Sequence, residues 1–285
     1  MTKRIIELQN NGVNIGLSNN HIYVRNGKHL FKYDLIEFTE KTSVQIFKKD
    51  GKARSFFIYK NKIYLRDFCD LYELNCDTLE ILRTWKLGEN LSSDICAENG
   101  DDDKVYACIR GGKITVIDLK NGNFKQYPIS DFSMWNIISY GSEIYVSCVN
   151  GELIELNKNN MSIKRRKQIH KKNIYSLLIQ KDIIYTVSQD SSLIATDVKH
   201  LETIFMVKKA ITNMSKILGI YETKLVTSNP NRKEITIWDT KDLTLKQAVS
   251  FPTGGLNSNG IVMKDNIIYG SSQDGIYAID IQEIK

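Results

Sequence analysis

Residues able to do chemistry are few in this chain, and their spacing does not bring them together. The four histidines, His21, His29, His170 and His200, never pair at metal-ligand spacing on one element. Each is therefore expected at the surface or at a strand end. The five cysteines, Cys69, Cys76, Cys96, Cys108 and Cys148, show no CxxC or CxxCH, and no acidic or histidine ligand accompanies them. They read as small core residues of a reduced, cytosolic protein. Cys96 and Cys108 should lie on neighbouring strands, with Cys148 in the next structural unit. Asp101, Asp102 and Asp103 lack the alternating ligand spacing of a calcium loop and are expected at a solvated hairpin tip. GxSxG, HExxH, P-loop and GxGxxG patterns do not occur. No catalytic residue, metal ligand or cofactor is expected, and the reading leans away from an enzyme.

The one true charge run is KRRKQIHKK, which carries Lys164, Arg165, Arg166, Lys167, Lys171 and Lys172. These six cations equal the whole formal excess of +6. Its plainer role is to blunt sheet-to-sheet pairing along an exposed edge strand. The alternative is binding of a phosphate backbone or an acidic partner. No aromatic residues are interleaved for base stacking, which argues against sequence-specific nucleic-acid recognition.

The elements that must carry these residues announce themselves by repetition. An Ile/Val-Tyr strand motif recurs at Ile22-Tyr23, Ile63-Tyr64, Val105-Tyr106, Ile144-Tyr145, Ile184-Tyr185 and Ile268-Tyr269, with Leu225-Val226 in the sixth place. Soon after each comes a second strand ending in Asp34, Asn75, Asp118, Asn157, Asp197, Asp239 or Asp280. Both markers keep a period of about forty residues, which is that of a four-stranded repeat. The terminal Asp or Asn can accept a hydrogen bond from the backbone two residues on and so start the next turn. Such a sheet cannot bury both faces alone, so seven of them stack radially and the ring closes. The units are expected at 12–49, 53–87, 92–129, 132–169, 173–207, 214–251 and 256–281, the last completed by strand 2–8. The expected fold is thus all-β, within a single domain spanning 1–285.

Composition agrees. Of 285 residues, 42% are hydrophobic and 25% charged, which is ordinary for a globular protein. No segment approaches the ~18 unbroken apolar residues of a membrane helix. MTKRIIELQNNG has neither an apolar h-region nor a small-residue cleavage site, so no export signal is expected.

Trp238-Asp239 matches the WD dipeptide, and IIYGSSQDGIYAID (Ile267–Asp280) is similar to the repeat of pyrroloquinoline-quinone-type propellers. On these residues the chain resembles the WD-repeat and quinoprotein-like superfamily of seven-bladed β-propellers over essentially its whole length. No Gly-His precedes any repeat, and only one repeat has Trp-Asp, so the full WD-repeat hydrogen-bond network is not expected. The vicinal cysteines and haem or metal motifs of a quinoprotein dehydrogenase are missing. The resemblance implies a fold, and fold does not imply function.

Aligning the innermost strand of each blade puts Asn14, Ser55, Asp94, Asn136, Ser176, Lys216 and Gly260 around the upper mouth of the channel. Val13, Arg54, Ser93, Trp135, Tyr175, Ser215 and Asn259 come one residue earlier. Such a ring either hydrates the channel or forms a recognition funnel. In the funnel Trp135 and Tyr175 are aromatic anchors, and Arg54, Asp94 and Lys216 make the charged contacts. Arg25, Arg66 and Arg110 are expected on the same face, as a basic arc for an acidic peptide or protein or as scattered solubilising charge. The reading is a cytoplasmic, monomeric, non-catalytic propeller that presents its upper face to a protein or peptide. Two alternatives stand beside it: a lactonase- or lyase-type enzyme at the channel mouth, and a phosphate or nucleic-acid-backbone binding module through Lys164–Lys172.

Overall fold

A computed structural model of the chain describes residues 2–8, 13–46, 56–67, 70–87, 91–97, 103–109, 111–251 and 260–284, with the side chains of 56, 67 and 91–97 outside the description. Strand β1 (Thr2–Glu7) comes first. Blade one is β2 (Asn14–Leu17), β3 (His21–Asn26), β4 (His29–Asp34) and β5 (Glu40–Gln45). Blade two is β6 (Phe56–Tyr59), β7 (Lys62–Asp67), β8 (Asp70–Asn75) and β9 (Ile81–Lys86). Blade three is β10 (Leu91–Ala97), β11 (Lys104–Ile109), β12 (Lys113–Asp118) and β13 (Phe124–Pro128). Blade four is β14 (Met134–Tyr140), β15 (Glu143–Cys148), β16 (Glu152–Asn157) and β17 (Ile163–Gln168). Blade five is β18 (Ile174–Gln180), β19 (Ile183–Ser188), β20 (Leu193–Asp197) and β21 (Thr203–Val207). Blade six is β22 (Lys216–Tyr221), β23 (Lys224–Asn229), β24 (Glu234–Asp239) and β25 (Leu245–Ser250). Blade seven is β26 (Ile261–Lys264), β27 (Ile267–Ser272) and β28 (Gly275–Asp280), and its fourth strand is β1, antiparallel to β28 with Thr2 opposite Ile279. Seven four-stranded antiparallel sheets, the last shared between the two chain ends, make a seven-bladed β-propeller.

The recurring Ile-Tyr dipeptide has a packing cause. Successive side chains on a strand point to opposite faces, so the Ile looks toward one neighbouring sheet and the Tyr toward the other. Tyr23 shares a buried cluster with Ile63, Tyr106 with Ile144, Tyr145 with Ile184, and Tyr269 with Ile22. In blade six Val226 takes the Tyr position and meets Ile268. Each apolar cluster is therefore a joint between consecutive blades. The outermost strands alternate instead, as in β17 and β25, because one of their faces meets water.

The Asp/Asn turn device forms as its chemistry dictates. Asp34 Oδ1 accepts from Ile36 N at 2.8 Å, Asn75 Oδ1 from Asp77 N at 2.6 Å, and Asp118 Oδ1 from Lys120 N at 2.8 Å. Asn157 and Asp280 do the same at 2.9 and 2.8 Å, while Asp197 reaches one residue further, to His200 N at 2.6 Å. Two compact units divide the contacts. One comprises Met1–Gly88, Leu218–Thr240 and Thr244–Lys285, and the other Glu89–Ile217 and Lys241–Leu243. Among the described residues no helix is long and apolar enough to cross a membrane.

Candidate functional site

The second unit carries the best-formed candidate. β14 and β18 are the first strands of blades four and five, and each slips register near its start. The slip falls between Met134 and Asn136 in β14 and between Ile174 and Ser176 in β18. The extra residues are Trp135 and Tyr175, at equivalent positions. A bulge re-aims its side chain relative to the regular pleat, and here it re-aims two aromatics in the same way. Their rings meet edge-on, with centroids 5.9 Å apart and planes at 67°, a favourable arrangement for two quadrupoles. Trp135 is half-buried, whereas Tyr175 is buried. The Tyr175 hydroxyl donates to Asn213 Oδ1, which fixes the ring, and burial raises its pKa above the ordinary value. Asn136 Nδ2 donates to Ser147 Oγ at 2.9 Å and to Ile174 O at 3.2 Å, stitching the two blades behind the pair. Lys216, half-buried, opens the next first strand, β22. The crossovers entering β14 and β18 expose Phe132, Lys171 and Lys172 at the same end of the sheets.

Other expected site residues fall elsewhere. Arg25 and Arg66 do not stand on an open rim: they are 0% and 2% exposed. Alternation explains this, because Arg25 lies two residues beyond buried Tyr23, and Arg66 two beyond buried Tyr64, on the same strand faces. Arg25 is thereby carried into the joint with blade two, where its Nη1 donates to Arg66 O at 3.4 Å. Arg54, Arg110 and the side chain of Asp94 lie outside the described residues.

The basic run is a strap. Lys164 pairs with Glu143 at 2.8 Å, Arg165 with Glu155, Arg166 with Glu152 at 3.6 Å, and Lys167 with Glu202 at 2.9 Å. Arg166 Nη2 also donates to Ile129 O of blade three at 2.5 Å, and Arg165 Nη2 to Val198 O of blade five at 2.9 Å. β17 is thus tied to the blades on both sides, and its four cations each already hold a carboxylate. Lys171 and Lys172 stand beyond the strand, exposed.

One histidine stands just past a strand end, as expected, but not at the surface. His170 is buried, 2% exposed, in the crossover from β17 to β18. Its Nε2 is 2.8 Å from Thr186 Oγ1, its Nδ1 is 2.8 Å from Ser192 Oγ, and both Asp190 carboxylate oxygens lie 3.3 Å from Nδ1. Asp190 also accepts from Lys171 N at 2.8 Å. Burial alone would raise the Asp190 pKa, but hydrogen bonds from Ser192 and Lys171 N, with the His170 charge, hold it below the usual carboxylate value. Burial lowers the His170 pKa, with Asp190 opposing. Part of the hydrogen-bond network that the missing Gly-His argued against is therefore present in blade five. Blade six holds a different part: Trp238 Nε1 donates to Thr227 Oγ1 at 3.0 Å, and Thr227 occupies the position of Thr186. The first network ties the crossover to the turn at 188–192, and the second ties β23 to β24.

Cys76, Cys108 and Cys148 are buried free thiols, and burial pushes Cys148 up to about 11, far from a nucleophile's range. Cys96 lies on β10, beside Tyr106 of β11. Asp103 precedes β11 and pairs with Lys120 at 3.5 Å, while Asp101 and Asp102 lie outside the described residues. Among the described residues no three His, Cys, Asp or Glu side chains are grouped to hold a metal.

No protein-family model matches the chain, and no curated protein is similar to it in sequence. Solved structures are similar over nearly its full length. The β-propeller domain of Myceliophteria thermophila Cps50 (Swd1) superposes with a TM-score of 0.80 at 10% identity, covering 98% of this chain and 99% of that one. A chain of the mitotic checkpoint complex gives 0.83 at 10% identity over 96% and 90%, and the Neurospora crassa Pan2 WD40 domain 0.72 at 13% over 94% and 90%. At such identities the likeness is one of fold, and by fold this chain is a seven-bladed, WD40-like β-propeller.

Proposed function

We propose that the chain is a non-catalytic platform that binds a protein or peptide at the Trp135–Tyr175 end of blades four and five. The observation that carries this reading is the pair of matched bulges. Two neighbouring first strands spend a register irregularity at the same place to aim an aromatic residue. Tryptophan and tyrosine are among the residues that most often dominate binding energy at an interface. Lys171 and Lys172 stand at the same end and favour an acidic partner, to which they add encounter rate more than affinity. One fold neighbour was solved as part of the mitotic checkpoint complex, which accords with a binding role.

Tryptophan emission gives a direct test. Trp85 and Trp238 are 4% and 3% exposed, whereas Trp135 is half-buried, so acrylamide should quench Trp135 first. Peptides selected on the folded chain from a random display library should be rich in Asp and Glu and should carry an apolar residue. They should protect Trp135 from quenching and lose affinity about tenfold or more on Trp135→Ala, the usual scale of an aromatic hot spot. Selected peptides that bind Trp135→Ala as tightly as wild type would place recognition elsewhere.

A further inference from the structure

The outer strands of the seven blades are open sheet edges, and six of them carry the charge or proline that discourages pairing with another chain. β1 reads TKRIIE, β5 EKTSVQ, β9 ILRTWK, β13 FKQYP, β17 IKRRKQ and β25 LKQAVS. β21 reads TIFMV, with no charge and no proline. It is the end strand of its sheet, bonded among the described residues only to β20. Ile204 and Met206 are 44% and 47% exposed, and both precede the exposed pair Lys208-Lys209. β21 has a bulge at Ile204, but β5, β9, β17 and β25 have bulges at the corresponding place. The missing charge is what sets β21 apart.

The strand's flanks say what fits it. Glu202 precedes β21, with its side chain 67% exposed, and Lys208 and Lys209 follow it. Antiparallel pairing of β21 with itself about Phe205 sets Ile204 opposite Met206 and Glu202 opposite Lys208, each twice by symmetry. A one-residue shift in one direction sets Glu202 opposite Lys209 instead, whereas the opposite shift sets it opposite Val207, so the charges favour two neighbouring registers. Parallel pairing would stack like charges. The same operation on β17 would set Arg165 against Arg166, so that strand is barred from the pairing that β21 permits. Facing pairs of opposite charge and of apolar residues are what stabilise antiparallel strands, and a two-fold contact is self-complementary and closes.

We infer that β21 is a self-association edge, through which two copies of this chain pair antiparallel to form a weak two-fold dimer. Glu202 gives up only an exposed ion pair with Lys167, which is worth little. The contact is independent of the Trp135–Tyr175 end, and Trp135→Ala should leave it unchanged.

Sedimentation velocity over a concentration series of the full chain tests the inference. Wild type should pass from monomer to dimer as concentration rises, and Met206→Lys should remain monomeric. Glu202→Lys should weaken the dimer about tenfold or more, as should Lys208→Glu with Lys209→Glu. Combining all three reversals should restore it, because the charges are then exchanged rather than lost. Equal melting temperatures would show that the variants fold, as expected for exposed positions. A wild type that stays monomeric up to its solubility limit overturns the inference. So does a dimer that survives Met206→Lys, or a charge exchange that fails to restore pairing. Binding of foreign extended peptides to β21 without self-association would also overturn it and assign the edge to strand addition.

Discussion

Removing the His170 imidazole should measurably loosen the second unit, and the size of the effect follows from its contacts. Asp190 stays ionised and can only accept, so Nδ1 carries the proton, shared between Ser192 Oγ at 2.8 Å and the carboxylate at 3.3 Å. Nε2 is then left to accept from Thr186 Oγ1 at 2.8 Å. His170→Ala removes both sets of bonds, each worth about 1 kcal/mol net. Asp190 keeps Ser192 Oγ, Ser192 N and Lys171 N, so it is not stranded. Thr186, fully buried, loses its partner, and leaving such a hydroxyl unsatisfied costs about 1–3 kcal/mol. With the Thr186 bond counted once, as that penalty, the sum is a loss of about 2–4 kcal/mol in urea unfolding monitored by circular dichroism. His200→Ala is the control: that side chain is 64% exposed, and its loss should lie within about 0.5 kcal/mol of wild type. Thr186→Val should cost less in the His170→Ala background than in wild type, by about 1 kcal/mol of coupling. A His170→Ala protein within about 0.5 kcal/mol of wild type, or strict additivity with Thr186→Val, would refute the network as a source of stability.

Two further outcomes follow from nearby groups. Gly151 has φ +90°, and an added Cβ would lie 2.2 Å from His170 O, whereas Gly141, at φ +60°, faces open space. Both alanine variants bear backbone strain of about 1 kcal/mol, but Gly151→Ala must also push the crossover away. Its melting temperature should fall clearly further than that of Gly141→Ala, and equal losses would contradict the close approach. Because burial lowers the folded pKa of His170, the unfolded chain takes up this proton first as pH falls through the ordinary value of 6.5. The contribution is complete above that pH and is lost on acidification toward the lower folded value. Wild type should therefore lose stability between pH 7 and 5 more steeply than His170→Gln, and parallel slopes would count against the argument.

The fold was legible because its determinants are local and repeated seven times. An alternating apolar pattern, a Tyr at one fixed place in six of the seven units and an Asp or Asn three strands into each unit leave little freedom of interpretation. The edge-strand position of the basic run was legible too, since an edge strand of a repeat is where Lys and Arg cost least. Its ties to the neighbouring blades were not, because Glu155, Glu202 and Ile129 lie on other strands and blades. The site was harder to read. Arg25 and Arg66 look like surface residues by type, and only counting two residues from Tyr23 and Tyr64 shows that they share a buried face. His170 was missed because Ile169, rather than glycine, precedes it. The recoverable signal was the pairing of a strand-end histidine with Asp190 twenty residues later, in the following hairpin turn. Asn213, which fixes Tyr175, lies 38 residues away in sequence, and no spacing rule connects the two.

The joint between blades, a Tyr from one sheet against an Ile from the next, has a consequence for the history of such a chain. Blades one, four and seven each carry both halves of the joint, one on each face of the same dipeptide. An in-frame copy of some forty residues would therefore arrive already able to dock on the blade before it and to receive the blade after it. Growth by duplication needs no newly invented interface, and one half can vary alone as long as it stays apolar. The sixth blade shows that tolerance: Val226 stands where the other blades have tyrosine and still meets Ile268.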